Sequence, residues 1–284
     1  METRKYKRSQ IFNEGVTRSV VISNGFSRLR FELAGIPDFC CNFAPMKKLL
    51  NPQDVEIMAP VGSYEALTAA IQGGADAVYF GIGHLNMRSK STLNFSDEDL
   101  KNIAGICHEN GIRSYITLNS DIFDEELGLM RSIVDDAKST GISAIIASDL
   151  SVIQYASQVG MEIHMSTQAN ITNIGAVRFF AQFADVMVTA RELSLDQVKI
   201  ITETIEKEQI TGPSGKPVKI EVFAHGALCM AVSGKCYLSL DNYNSSANRG
   251  ACLQLYRRTY HVFDRDGEVE LEIDNQYMMS PKDL

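Results

Sequence analysis

Cys229, Cys236 and Cys252 are three of the chain's six cysteines, and they fall within 24 residues that are interleaved with glycines. The amino terminus lacks a secretory pattern. Its apolar stretch Val20-Val-Ile-Ser is shorter than a signal core and is interrupted by polar residues. Clustered thiols in a reducing, cytoplasmic setting more often bind metal or do redox chemistry than pair as disulfides. Three soft thiolates suit zinc or an iron–sulfur cluster, either of which normally takes a fourth ligand. The spacing Cys-x6-Cys-x15-Cys lacks the Cys-x2-Cys knuckle of structural zinc. The alternative reading is three buried thiols serving as small hydrophobes.

A second set of candidates comes from the elements that must position them. Short apolar runs recur at residues 56–59, 77–80, 114–118, 144–147, 162–165, 185–189 and 219–223. Amphipathic segments lie between them. Ser63, Ser96 and Ser194 stand where helices should start, and Gly73-Gly74, Gly111, Gly141 and Gly160 where they should stop. Seven β-then-α units with near-continuous apolar strands predict a parallel sheet covered by helices, of the (β/α)8 (TIM-like) barrel type. No Gly-x-Gly-x-x-Gly follows the first strand, which counts against a dinucleotide fold. No eighth strand is evident before Leu284. Residues 258–264 and 268–273 read instead as a hairpin about Arg265-Asp-Gly267.

Barrel enzymes carry their sites past the carboxyl ends of the strands. The residues found there are Pro60, Gly81, Asn119, Ser148-Asp149, Ser166-Thr167-Gln168, Arg191-Glu192 and His225. Ser166, Thr167, Gln168 and Asn170 can hold a polar ligand by neutral hydrogen bonds, and Arg191 can grip a carboxylate or phosphate with its fork. Glu192 suits a proton acceptor or a partner that orients Arg191, and His225 a proton donor four residues before Cys229. Each of these types, taken singly, is more often a cap or a surface pair. His164 lies on a strand and reads as a core or lumen residue. There is no His-Glu-x-x-His and no Gly-x-Ser-x-Gly.

Composition sets the frame. The 284 residues are 45% hydrophobic and 22% charged, within the range of globular domains. No apolar run reaches the roughly 18 residues of a membrane span. The net charge of −8 does not advertise nucleic-acid binding, yet residues 1–45 and 226–265 each carry +3. The chain divides into an extension of doubtful structural role (1–45), a β/α barrel (46–225) and a cysteine-rich module (226–284).

The assembled motifs resemble the peptidase U32 family of collagenase-like proteins. The likeness runs through Glu221-Val-Phe-Ala-His-Gly-Ala-Leu-Cys229, Ser233-Gly-Lys-Cys-Tyr-Leu-Ser239 and Asn248-Arg-Gly-Ala-Cys252. Upstream it includes Ala59-Pro-x-Gly-Ser-x-Glu, Gly74-Ala-Asp-Ala-Val-Tyr-Phe-Gly81, Ser166-Thr-Gln and Arg191-Glu-Leu-Ser194, so that it covers residues 55–284. The resemblance implies one of two activities. One is collagenase-type proteolysis. The other is oxygen-independent hydroxylation of tRNA, rRNA or a ubiquinone precursor, with a 4Fe–4S cluster on four cysteines and, for RNA, prephenate as the implicated hydroxyl source. On that pattern Cys229, Cys236 and Cys252 take three ligand positions. Tyr256 stands where many relatives have another cysteine. Ser280-Pro-Lys-Asp-Leu284 matches a closing motif whose next residue is cysteine, so the fourth ligand and the last strand are expected beyond Leu284. Hydroxylation of RNA is the favoured expectation, with the collagenase and a non-catalytic partner subunit as rivals. The expected partners are RNA or a small molecule (collagen under the rival reading), a homo- or heterodimer, and no membrane.

Overall fold

The computed structural model describes residues 18–22, 55–87, 89, 95–225, 229, 231–233, 235–255, 260–263 and 269–273. The seven expected strands form as β2 (Val55–Pro60), β3 (Ala77–Gly81), β4 (Arg113–Leu118), β5 (Ala144–Ala147), β6 (Ile163–Met165), β7 (Val186–Val188) and β8 (Lys219–His225). Each is parallel to the next. A further strand, β1 (Arg18–Ile22), runs antiparallel between β2 and β8 and closes the barrel. The sequence reading leaves these five residues in an extension of doubtful structural role; in the structure they pair with both β2 and β8. Val20-Val-Ile has the β-branched composition that suits a strand. It escapes a search for β/α units because no helix of the repeating kind accompanies it.

Helices α1 (Tyr64–Gln72), α2 (Asp97–Glu109), α3 (Leu127–Thr140), α4 (Leu150–Gln158), α5 (Ile174–Phe180) and α6 (Leu195–Glu208) connect the strands. In α3, Met130, Ile133, Val134 and Ala137 are buried, a three-and-four spacing that turns one stripe onto the sheet. Val198, Ile201, Thr202 and Ile205 do the same in α6. Ser194 opens α6 with a reciprocal cap. Its amide donates to Gln197 Oε1 at 2.8 Å, and its hydroxyl accepts from the Gln197 amide at 3.4 Å. Gly141 ends α3 at φ +83°, a left-handed turn that glycine adopts without strain.

Side chains of alternate strand residues point into the lumen. Met58, Ala77, Tyr115, Ala144 and Ile146 fill its middle, with Tyr79 packed on them. Below them, at the amino ends of the strands, is an ionic floor. Arg113 Nη2 donates to Glu162 Oε1 at 2.8 Å, and its Nη1 lies 3.7 Å from Glu56 Oε2. The Tyr115 hydroxyl donates to Glu56 Oε1 at 2.5 Å, and His164 Nε2 lies 3.0 Å from Glu162 Oε1. His164 is therefore a lumen residue, with no exposed surface.

After β8 the chain forms a short helix, α7 (Leu238–Tyr243), and then the expected hairpin, β9 (Tyr260–Phe263) against β10 (Val269–Ile273). The hairpin's turn, Tyr256 and the 280–284 motif lie outside the described residues. Among the described residues no helix is long and apolar enough to cross a membrane.

Candidate active site

The lumen alternation that sets the floor also sets the mouth. Following Glu56, Met58 and Pro60 up β2, or Arg113, Tyr115 and Thr117 up β4, leads from the floor to the carboxyl rim. A cavity of about 240 Å3 opens there. Met58, Pro60, Tyr79, Gly81, Thr117, Ile146, Val188, Glu221 and Phe223 line it from the strands. Asn86, Met87, Asn119, Ser166, Thr167, Gln168 and Arg191 line it from the loops that follow them. Its wall is largely apolar, with a few convergent polar groups, which is the usual make-up of a small-ligand site.

A hydrogen-bond chain orients the polar side of the wall. The Met87 amide donates to Asn119 Oδ1 at 3.2 Å, Asn119 Nδ2 donates to Ser166 Oγ at 3.2 Å, and Ser166 Oγ donates to Gln168 Oε1 at 2.7 Å. Ser166 spends its one proton on Gln168, and the Gln168 carbonyl is thereby occupied. The Gln168 amide NH2 is left as a donor. Among the described residues Arg191 makes two long contacts, from Nε to Ser233 Oγ and from Nη2 to the Ala231 carbonyl, each at 3.4 Å. A cavity whose polar groups include these two donors favours a carboxylate or carbonyl ligand.

Not every expected site residue joins this wall. Ser166, Thr167, Gln168 and Arg191 line the cavity; Asn170 and Glu192 do not. Asn170 takes the left-handed conformation, φ 51°, that ends the 3-10 turn Thr167–Ala169, so it shapes the loop. Glu192 accepts from the Ser233 amide at 2.8 Å and from its hydroxyl at 3.2 Å. Burial pushes the Glu192 carboxyl up, but the Ser233 hydrogen bonds, its own amide and nearby Arg191 outweigh that and hold it below the usual range. Through these bonds it clamps the segment after β8. His225 ends β8, and its side chain lies outside the described residues.

Glu221 lines the cavity, is 2% exposed and was not among the sequence candidates. Its signal was available: an acid between Ile220 and Val222 in an apolar strand must be either a lumen residue or an error of strand assignment. Asn86 is also buried in the wall, and nothing in its local sequence marks it.

The three cysteines are half-buried. Their donor chemistry suits zinc or iron–sulfur. Yet among the described residues no three His, Cys, Asp or Glu side chains stand together as a metal site.

Fold and cavity together define an α/β barrel with a cavity at its carboxyl mouth. The chain belongs to peptidase family U32, whose sequence profile matches residues 62–284. A collagenase of Porphyromonas gingivalis is 61% identical over 235 residues, covering 83% of this chain and 57% of that protein. The tRNA hydroxylation protein P1 of Bacillus subtilis is 31% identical, covering 81% of this chain and 53% of that protein. The 23S rRNA 5-hydroxycytidine C2501 synthase of Escherichia coli is 32% identical, covering 76% of this chain and 31% of that protein. The chain thus spans about half the length, or less, of these relatives.

Proposed function

We propose that this chain is the substrate-binding barrel of a hydroxylase that acts on an RNA base, with its rim cavity seating a small carboxylate-bearing hydroxyl donor. The cavity carries this reading. At about 240 Å3 it lies just under the roughly 300 Å3 at which drug-sized pockets begin, a size that suits a small acid or a single base. Arg191 and the Gln168 amide supply the donors for a carboxylate. Ser166, the serine at the mouth, gives its proton to Gln168 and accepts from Asn119, and among the described residues no histidine lines the cavity. A serine so engaged is not set up as a nucleophile with a base beside it.

The 61% identity to a protein named collagenase favours a second reading, a peptidase of denatured collagen. One experiment separates them. RNA from cells with and without the gene is digested to nucleosides and compared by mass spectrometry, while the purified full-length protein is assayed on gelatin. Loss of a hydroxylated nucleoside on deletion, restored by the wild-type gene but not by Gln168→Ala, is the expected result. An unchanged nucleoside profile, together with gelatin cleavage that Arg191→Ala abolishes, would replace the hydroxylase with the peptidase.

A further inference from the structure

The segment between Ala231 and Leu255 meets the barrel rim at two places on different sides of the mouth. On the β6–β7 side, Ser233 is buried against Glu192, Arg191 and Thr167. On the β3–β4 side the contact is made by Asn248, Arg249 and Gly250. Arg249 forms a two-bonded fork with Glu126, from Nη1 to Oε2 and from Nη2 to Oε1, each at 2.6 Å. It also donates to the Asp121 carbonyl, and its guanidinium lies 3.9 Å above the Phe123 ring. Glu126 is held in turn by the Phe123 amide at 2.9 Å, and the Asp121 amide donates to the Asn248 carbonyl at 3.1 Å.

This fork sits three residues before Cys252, and the intervening backbone is fixed. Gly250 adopts φ +79°, and a Cβ there would fall 2.4 Å from the Asn86 carbonyl oxygen and 2.2 Å from Ser89 Oγ. No other residue type fits so close to the loop after β3. Ala251 is buried, and its carbonyl accepts from Ser245 Oγ at 2.9 Å. The Leu253 amide donates to buried Ser239 Oγ at 3.1 Å. The backbone of Cys252 is thus tied on both flanks, and the tie leads through Gly250 to Asn86, a wall residue of the cavity.

We propose that Arg249 and Glu126 are positioning residues: their fork sets the place of Cys252 beside the cavity wall, independently of the Ser233–Glu192 contact that anchors the stretch bearing Cys229 and Cys236. The inference goes beyond the hydroxylase reading and does not depend on which reaction the barrel performs.

The test is residue-resolved alkylation. The full-length protein, purified without oxygen, is treated with iodoacetamide, and each cysteine is followed by peptide mass spectrometry in the wild type and in Arg249→Ala, Arg249→Lys and Glu126→Gln. Buried Cys107, 1% exposed and with its thiol pushed up to about 11 by burial, reports general opening of the fold. In Arg249→Ala, Cys252 should be alkylated about tenfold faster or more, the effect of losing a charged pair of hydrogen bonds, while Cys107 and Cys236 keep their wild-type rates. Arg249→Lys should fall between, because an ammonium keeps the charge but not the fork. If Arg249→Ala does not fold, Glu126→Gln, which preserves shape, gives the same reading. An unchanged Cys252 rate overturns the proposal. So does a parallel rise at Cys107, which would make the fork a general stabiliser, or an equal rise at Cys236, which would make the segment one rigid piece.

Discussion

The floor and the mouth of this barrel are built from the same lumen positions of the same strands, yet they use their charges in opposite ways. At the floor, Arg113 is shared between Glu162 and Glu56, and Glu56 and Glu162 each take a further contact from Tyr115 and His164. The charged groups of the floor are paired with one another, while buried His164 Nδ1 has no partner among the described residues. At the mouth, Arg191 reaches its partners among the described residues at 3.4 Å, and Gln168, a lining residue of the cavity, accepts from Ser166 through its carbonyl. Groups that satisfy one another hold a barrel together, whereas groups left partly unsatisfied are available to a ligand. The contrast fits the general division of labour in such barrels, stability at the amino face and chemistry at the carboxyl face.

The largest effect expected of this contrast is on stability. Tyr115 is fully buried between Arg113 and the His164 ring, whose centroid is 4.6 Å away. Tyr115→Ala leaves a cavity and removes the hydroxyl from Glu56, so urea unfolding should show a loss of about 3–5 kcal/mol. Tyr115→Phe keeps the ring and should lose about 1.5–3 kcal/mol. Under conditions where either variant is folded, activity should be near that of the wild type. If Tyr115→Phe is stable but inactive, the floor takes part in the chemistry and the division fails.

The mouth should respond the other way. Arg191→Ala should weaken binding of a small carboxylate donor by about 1.5–3 kcal/mol, as expected for loss of charged hydrogen bonds, with the unfolding midpoint nearly unchanged. Arg191→Lys should not restore full affinity. Calorimetry with prephenate as the probe would show it. Equal affinity in all three proteins would turn Arg191 into a second clamp on the Ala231–Ser233 turn.

The sequence made the repeating part of this fold readable because each unit carries an apolar run, and several add punctuation: a serine start at Ser63, Ser96 and Ser194, or a left-handed glycine stop such as Gly141. Ala144–Ala147 is the same in expectation and structure, and the other six parallel strands agree within two residues. β1 was not readable, because an antiparallel strand that closes a barrel has no unit around it and is defined only by its partners, β2 and β8. At the site, strand-end position found Ser166, Thr167, Gln168 and Arg191. Glu192 stands beside Arg191 in sequence, but its carboxylate is taken by Ser233, 41 residues away, a contact no local pattern reveals. Glu126 was passed over for the same reason, since its partner Arg249 lies 123 residues away.

The smallest expected effect separates the two ends by acid titration. The Glu162 carboxyl is pushed up by burial, but hydrogen bonds from His164 and Arg113 and their charges outweigh this and bring it to about 2, below an ordinary value of 4.5. Glu126 at the rim also falls to about 2, chiefly through the Arg249 fork. For a depressed carboxyl, the unfolded chain binds the proton more readily. The stabilisation is therefore complete above about pH 4.5 and is lost as the pH falls toward 2. Stability should rise with pH across that window with a slope to which each carboxylate adds up to about one proton. Glu162→Gln and Glu126→Gln should each remove their share, and the double variant should remove both, because the two sites lie at opposite ends of the barrel and share no partner. Only Glu126→Gln should also release Cys252. An unchanged slope in Glu162→Gln would mean that the floor carboxylate is not paired in solution, and the paired floor on which the comparison rests would be gone.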